Sequence, residues 1–132
     1  TFKAALFTGL ITGQDADAME QYGVGAYASN EAANSGTYAA GGTALTTPSL
    51  VVPTSGVVAF KDTGAASMAW SGVTYAGSGA PRGLALYDDT LASPNANPLV
   101  CAINFGADLA VTAGTLTVVW NTTYGIFYFQ YA

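Results

Sequence analysis

The chain of 132 residues contains no histidine. Without an imidazole, Ser-His-Asp and Cys-His arrangements lose their general base, and the common metal centres lose their usual ligand. The single cysteine, Cys101, excludes an internal disulfide and any cysteine-built zinc site. Lysine and arginine together number 3 against 8 aspartates and glutamates, a net charge of −5. That balance excludes a basic groove for nucleic acid or for an anionic membrane. No apolar run reaches the roughly 18 residues of a membrane span. Charge of either sign is scarce: 8% of residues carry one, where soluble domains average about 25%.

What is present is apolar and aromatic. Hydrophobic residues make up 51% of the chain, which excludes disorder, because disordered chains are apolar-poor and charge-rich. A surface so poor in charge is sticky when left bare. Either neighbouring subunits cover much of it, or Ser, Thr, Asn and Gly take over the polar role. The length fits one domain spanning residues 1–132.

Helix signals are confined to Gln14–Tyr22. There Asp15 is a candidate cap, Asp17 and Glu20 suit a helix N-terminus, and Gly23 is a stop. The rest reads as short strands broken by Gly, Pro, Ser, Asn and Asp. They are Phe2–Phe7, a Gly-interrupted Thr37–Leu45, Ser49–Val52, Gly56–Lys61, Ala66–Val73, Arg82–Tyr87, Leu99–Phe105, Thr115–Trp120 and Tyr124–Tyr131. Eight or so strands at such spacing point to an all-β fold, an antiparallel β-sandwich of jelly-roll type. The Tyr-bearing, small-residue segment Tyr22–Gly42 reads as an ordered excursion within residues 9–42, or an arm lying on a neighbour.

The last strand departs from simple alternation. Tyr124, Ile126 and Tyr128 share one face, while Phe127, Phe129 and Tyr131 share the other. A strand of a two-layer fold is apolar on one side only. Either this strand is central and covered twice, or one of its faces meets another chain. The second option is expected, with Phe2, Phe7, Phe127, Phe129 and Tyr131 as interface candidates.

No motif carries catalysis. Asp15, Asp17 and Glu20 lack the glycine and the final glutamate of a calcium loop. Asp88-Asp89 reads as a turn. Asp62 with Asp108 is the best available carboxylate pair, and nothing in its spacing supports acid–base work. Gly23-Val-Gly25 and Gly41-Gly42 have no following lysine for phosphate. Cys101 lies in an apolar strand and reads as a buried thiol. Asn121-Thr-Thr fits a glycosylation pattern that is common by chance. Trp70 and Trp120 suit either core and interface or a sugar-stacking platform. No cofactor or metal is expected.

In order, the chain carries Tyr38-Ala-Ala-Gly-Gly42, Trp70, Leu86-Tyr87-Asp88, Asn104-Phe105-Gly106 and Gly125-Ile126. This order resembles that of small structural proteins encoded in tailed-bacteriophage morphogenesis regions, from about Phe2 to Phe127. The resemblance implies a virion component of the capsid cement or decoration type. Such a protein is made in the bacterial cytoplasm and mounted on the capsid surface. Its implied partners are the major capsid protein and further copies of itself, as a dimer or trimer. A tail, baseplate or fibre component and a carbohydrate-binding module are the alternatives.

Overall fold

The computed structural model describes residues 1–9 and 21–130. Among them run nine strands: β1 (Phe2–Phe7), β2 (Thr43–Ala44), β3 (Pro48–Val51), β4 (Val57–Asp62), β5 (Ser67–Tyr75), β6 (Gly83–Asp88), β7 (Leu99–Asn104), β8 (Val111–Val119) and β9 (Phe127–Gln130). Helix among the described residues amounts to one turn, α1 (Ala26–Ser29), and a 3-10 turn at Gly77–Gly79. The fold is all-β and sandwich-like, built from antiparallel sheets. The expected helix at Gln14–Tyr22 falls mostly outside the described residues. Its last two residues are not helical: Gln21 forms a bridge with Pro98, and the Tyr22 N–H donates to the Asn97 carbonyl at 2.9 Å.

The strands pair as β2-β1-β6-β7, as β3-β4-β9 and as β5-β8. The chain divides into two compact units. One holds Thr1–Ala44 with Trp70–Leu116, the other Leu45–Ala69 with Thr117–Ala132.

In the larger unit, β1 and β6 pair over six residues, from Phe2 opposite Asp88 to Phe7 opposite Gly83. Both are central strands, and both are buried on both faces. Ala5, Phe7, Ala85 and Tyr87 point one way and Ala4, Leu6, Leu84 and Leu86 the other, with exposures of 0–1% throughout. This double burial explains the near-continuous apolar runs Ala-Ala-Leu-Phe and Leu-Ala-Leu-Tyr, which do not alternate with polar residues. On the Phe7 side the cover is aromatic. Tyr27, carried by α1, meets Phe7 edge-on at 4.9 Å, and Tyr22 stacks on Tyr87 at 4.1 Å. Each of the buried rings Phe7, Tyr27 and Tyr87 contributes roughly 1.5–3 kcal/mol from burial.

The described part of the Tyr22–Gly42 excursion therefore lies on its own sheet. A polar network fixes it there. The Glu31 carboxylate accepts hydrogen bonds from the Tyr22 hydroxyl, from the Tyr38 hydroxyl at 2.8 Å and from the Gly41 N–H at 2.7 Å. The Tyr38 hydroxyl in turn accepts the N–H of Leu6 at 2.9 Å, and the Tyr87 hydroxyl donates to the Gly41 carbonyl. Gly42 completes the contact. Its φ is +70°, and a Cβ there would stand 2.4 Å from the Ala4 carbonyl oxygen, so an L side chain is excluded on both counts.

Burial raises the phenol pKa values of Tyr22, Tyr38 and Tyr87, with Tyr87 pushed up to about 12 from 10.0. A group whose pKa rises on folding contributes its stability fully below the unfolded pKa and loses it as pH climbs through the folded value. With no histidine, stability is expected to be flat from about pH 6 to 8, below the ordinary range of the Cys101 thiol and the phenols. Above pH 10 it falls, on the order of 2 kcal/mol by pH 12 from Tyr87 alone. Urea midpoints measured from pH 7 to 11.5 check this; a midpoint unchanged through pH 11.5 contradicts it.

Candidate functional site

The fold employs the ionisable side chains among the described residues structurally. Asp62, at the end of β4, is buried, and its carboxylate accepts three backbone N–H groups: Thr46 at 2.9 Å, Thr47 at 2.7 Å and Gly64 at 3.1 Å. Asp108 pairs with Arg82 at 3.1 Å, and Asp89 with Lys3 at 2.7 Å. Asp88 accepts the hydroxyl and N–H of Thr90, and these bonds hold its pKa below the ordinary carboxylate range. Asp88-Asp89 is thus a strand-end turn. Asp15, Asp17 and Glu20 lie outside the described residues. Among the described residues no three His, Cys, Asp or Glu side chains stand together as a metal site. Burial pushes the half-buried Cys101 thiol up to about 11, so it carries no thiolate at neutral pH.

The tryptophans are core residues. Trp70 is 1% exposed, and its indole N–H donates to the Thr43 hydroxyl at 2.8 Å. Trp120 is 6% exposed. It lines a cleft of about 320 Å³ with Lys61, Asp62, Gly64, Asn121 and Thr122. The polar groups of that cleft are largely spent on the protein itself. The Lys61 ammonium donates to the Thr122 carbonyl at 2.7 Å, and the Asn121 side-chain oxygen accepts the N–H groups of Thr123 and Tyr124. Neither indole presents a face on which a sugar could stack.

The most exposed large apolar side chains, Leu50, Val52, Val119 and Phe129, belong to the smaller unit. Its sheet is built on β4, whose alternation is legible in Val-Val-Ala-Phe-Lys-Asp. Val57 and Ala59 face inward, at 5% and 0% exposure. Cross-strand partners share a face. Leu50 lies opposite Phe60, Phe60 opposite Phe127, and Val58 opposite Phe129. The second face of β3-β4-β9 is therefore Leu50, Val58, Phe60, Phe127 and Phe129, with the buried Asp62 next along β4 opposite Pro48. Phe60 and Phe127 stack at 5.2 Å, and Phe129 meets Phe127 edge-on at 5.8 Å. Phe60 at the centre is shielded, but Leu50 and Phe129 are each 67% exposed. Behind β9, Tyr128 stacks on Tyr124 and is 49% exposed.

Single exposed apolar residues are ordinary; a contiguous set on one sheet face is not. The smaller unit also carries almost no charge. Lys61 and Asp62 are its two charged residues, so the entire −5 resides in the larger unit. β3 and β9 are both edges of this sheet. Among the described residues it thus presents uncharged apolar side chains and strand edges in one place.

Of the interface candidates, Phe127 and Phe129 belong to this face. Phe7 does not qualify: it is 1% exposed inside the core cluster, enclosed by Tyr22 and Tyr27. Phe2 is half-buried on β1 opposite Asp88, in the other unit. Tyr131 lies outside the described residues. Leu50 and Val58 were not singled out from the sequence. For Leu50 the signal was Ser49-Leu50-Val51-Val52 just before a proline, an apolar strand too short to bury both of its faces.

Compared with family models, curated proteins and solved structures, the chain matches none.

The Asp62 carboxylate fixes the frame of this sheet. Its replacement in Asp62→Ala strands three N–H groups and is expected to cost about 3 kcal/mol. Chemical denaturation checks this, and a loss below about 1 kcal/mol contradicts the role.

Proposed function

We propose that this chain is a non-enzymatic structural subunit that binds and stabilises an assembled shell. In the form the sequence resemblance implies, it is a cement or decoration protein on a tailed-phage capsid, with the major capsid protein as partner. The observation that carries the reading is the uncharged apolar face Leu50, Val58, Phe127 and Phe129 on a sheet with two open edges. A molecule that binds only the assembled state stabilises that state by its binding free energy alone. It requires no reacting group, and the ionisable side chains described above are engaged in holding the fold.

Most of the motifs that carry the resemblance serve the scaffold. Tyr38 holds β1 through the Leu6 N–H, Trp70 is pinned to Thr43, and Tyr87 is a core residue. Gly125 sits where a Cβ would come within 2.5 Å of the Phe60 carbonyl oxygen. On this reading the motif order describes how the domain is built, and the face on β3-β4-β9 describes what it touches.

The test is co-sedimentation with expanded shells stripped of accessory proteins. The wild-type chain is expected to bind in a fixed, saturable ratio. Leu50→Asp and Phe129→Asp are each expected to weaken binding about tenfold or more. As substitutions of exposed side chains they should leave stability within roughly 0.5–1 kcal/mol. Shells left bare by the wild-type chain, or variants that bind like it, would overturn the proposal.

A further inference from the structure

We infer that β9 pairs with β9 of a second copy of this chain, edge to edge about a two-fold axis, joining two three-stranded sheets into one of six. The inference rests on the reading of this sheet as an assembly surface and names one occupant for it.

Three observations select a second copy. First, β9 ends the order β3-β4-β9, so among the described residues alternate backbone N–H and C=O groups on its outer side face no strand. Such a row is a template for a further strand, and an antiparallel copy of itself satisfies it symmetrically. Second, a chain of net charge −5 repels its own copies, and least where it is uncharged. The smaller unit holds a single ion of each sign: Asp62 is buried under three N–H groups, and Lys61 is tied to Thr122.

Third, the side chains suit the symmetry. An axis perpendicular to the sheet keeps like faces together, so paired residues must lie on the same face. Placing Tyr128 opposite its copy then sets Phe127 opposite Phe129 of the second chain, twice over. Phe127 and Phe129 already face the same way as Phe60 and Leu50. The pairing therefore makes one continuous aromatic face from two.

Area sets the strength. With aromatic side chains offering about 150–250 Å² each, the exposed parts of Phe129 and Tyr128 and the strand edge bury about 700 Å² over both copies. That is below the roughly 1,200 Å² of stable interfaces. The free dimer is therefore weak, with a dissociation constant on the order of 100 µM, and it becomes firm where a shell holds copies side by side.

Sedimentation equilibrium from 10 µM to 1 mM is the test, with two variants. Tyr128→Lys places two ammonium groups across the axis and is expected to weaken the dimer tenfold or more while shell binding through Leu50, on the opposite edge strand, persists. Cys101→Ser/Tyr128→Cys is expected to form a disulfide-linked dimer under mild oxidation, and circular dichroism checks that both variants fold. A wild-type chain that stays monomeric at 1 mM overturns the pairing, and if it still binds shells the assembly reading stands. A dimer indifferent to Tyr128→Lys and not cross-linked through residue 128 also overturns the pairing. A dimer with both expected signatures, in a chain that leaves shells bare, supports the pairing and rejects the capsid role.

Discussion

The pairing of β1 with β6 is the constraint on which the larger unit depends. Two adjacent strands without a polar side on Ala4–Phe7 or Leu84–Tyr87 must be covered above and below. The sequence devotes much of its aromatic content to that cover. Tyr22, Tyr27, Tyr38 and Tyr87 are held there by ring contacts and by hydroxyls that converge on Glu31, Gly41 and the Leu6 N–H. The cost of burying the Glu31 carboxylate and the phenols of Tyr22, Tyr38 and Tyr87 is offset because each has a partner. Close approach at Gly42 admits no side chain, and this ties the excursion to β1.

The smaller unit is made on different terms. It has one buried carboxylate, which organises the strand ends around Thr46, Thr47 and Gly64, and one inward face of Val57 and Ala59. Its second face keeps phenylalanine and leucine exposed, and the one carboxylate on that face, Asp62, is buried. A chain with 8% charged residues has little means of keeping such a face in water. Its net charge resides in the other unit, so the face is left suited to contact. The scarcity of charge and the exposure of β9 are then two sides of one property.

Much of this was legible in the residues. β1 follows from an apolar run bounded by Thr1 and by Thr8-Gly9, and β3, β4, β6 and β7 from apolar stretches set off by Pro, Gly, Asp and Asn. β8 begins four residues before the expected Thr115, because Ala113 with a positive φ and Gly114 interrupt its pattern. The two-sided aromaticity of β9 was legible too. What local pattern could not convey was strand order. Phe2 pairs with Asp88 across most of the chain, and such pairings decide which apolar strand becomes central. Hence Phe7 and Phe129 look alike in sequence, yet one is core and the other exposed. The role of Asp62 had a local signal, an Asp-Thr-Gly turn at a strand end. The convergence of Tyr22, Tyr38 and Glu31 had none.

If the uncharged face makes the functional contact, its strength is set by apolar burial and backbone pairing, both nearly indifferent to ionic strength. The most direct measurement is the affinity of the chain for stripped capsid shells at 50 mM and 500 mM salt. A dissociation constant constant within about twofold is the expected result, because no charge pair has to form. A loss of tenfold or more at high salt would place the contact on the acidic unit instead, and the role assigned to Leu50, Phe127 and Phe129 would fall.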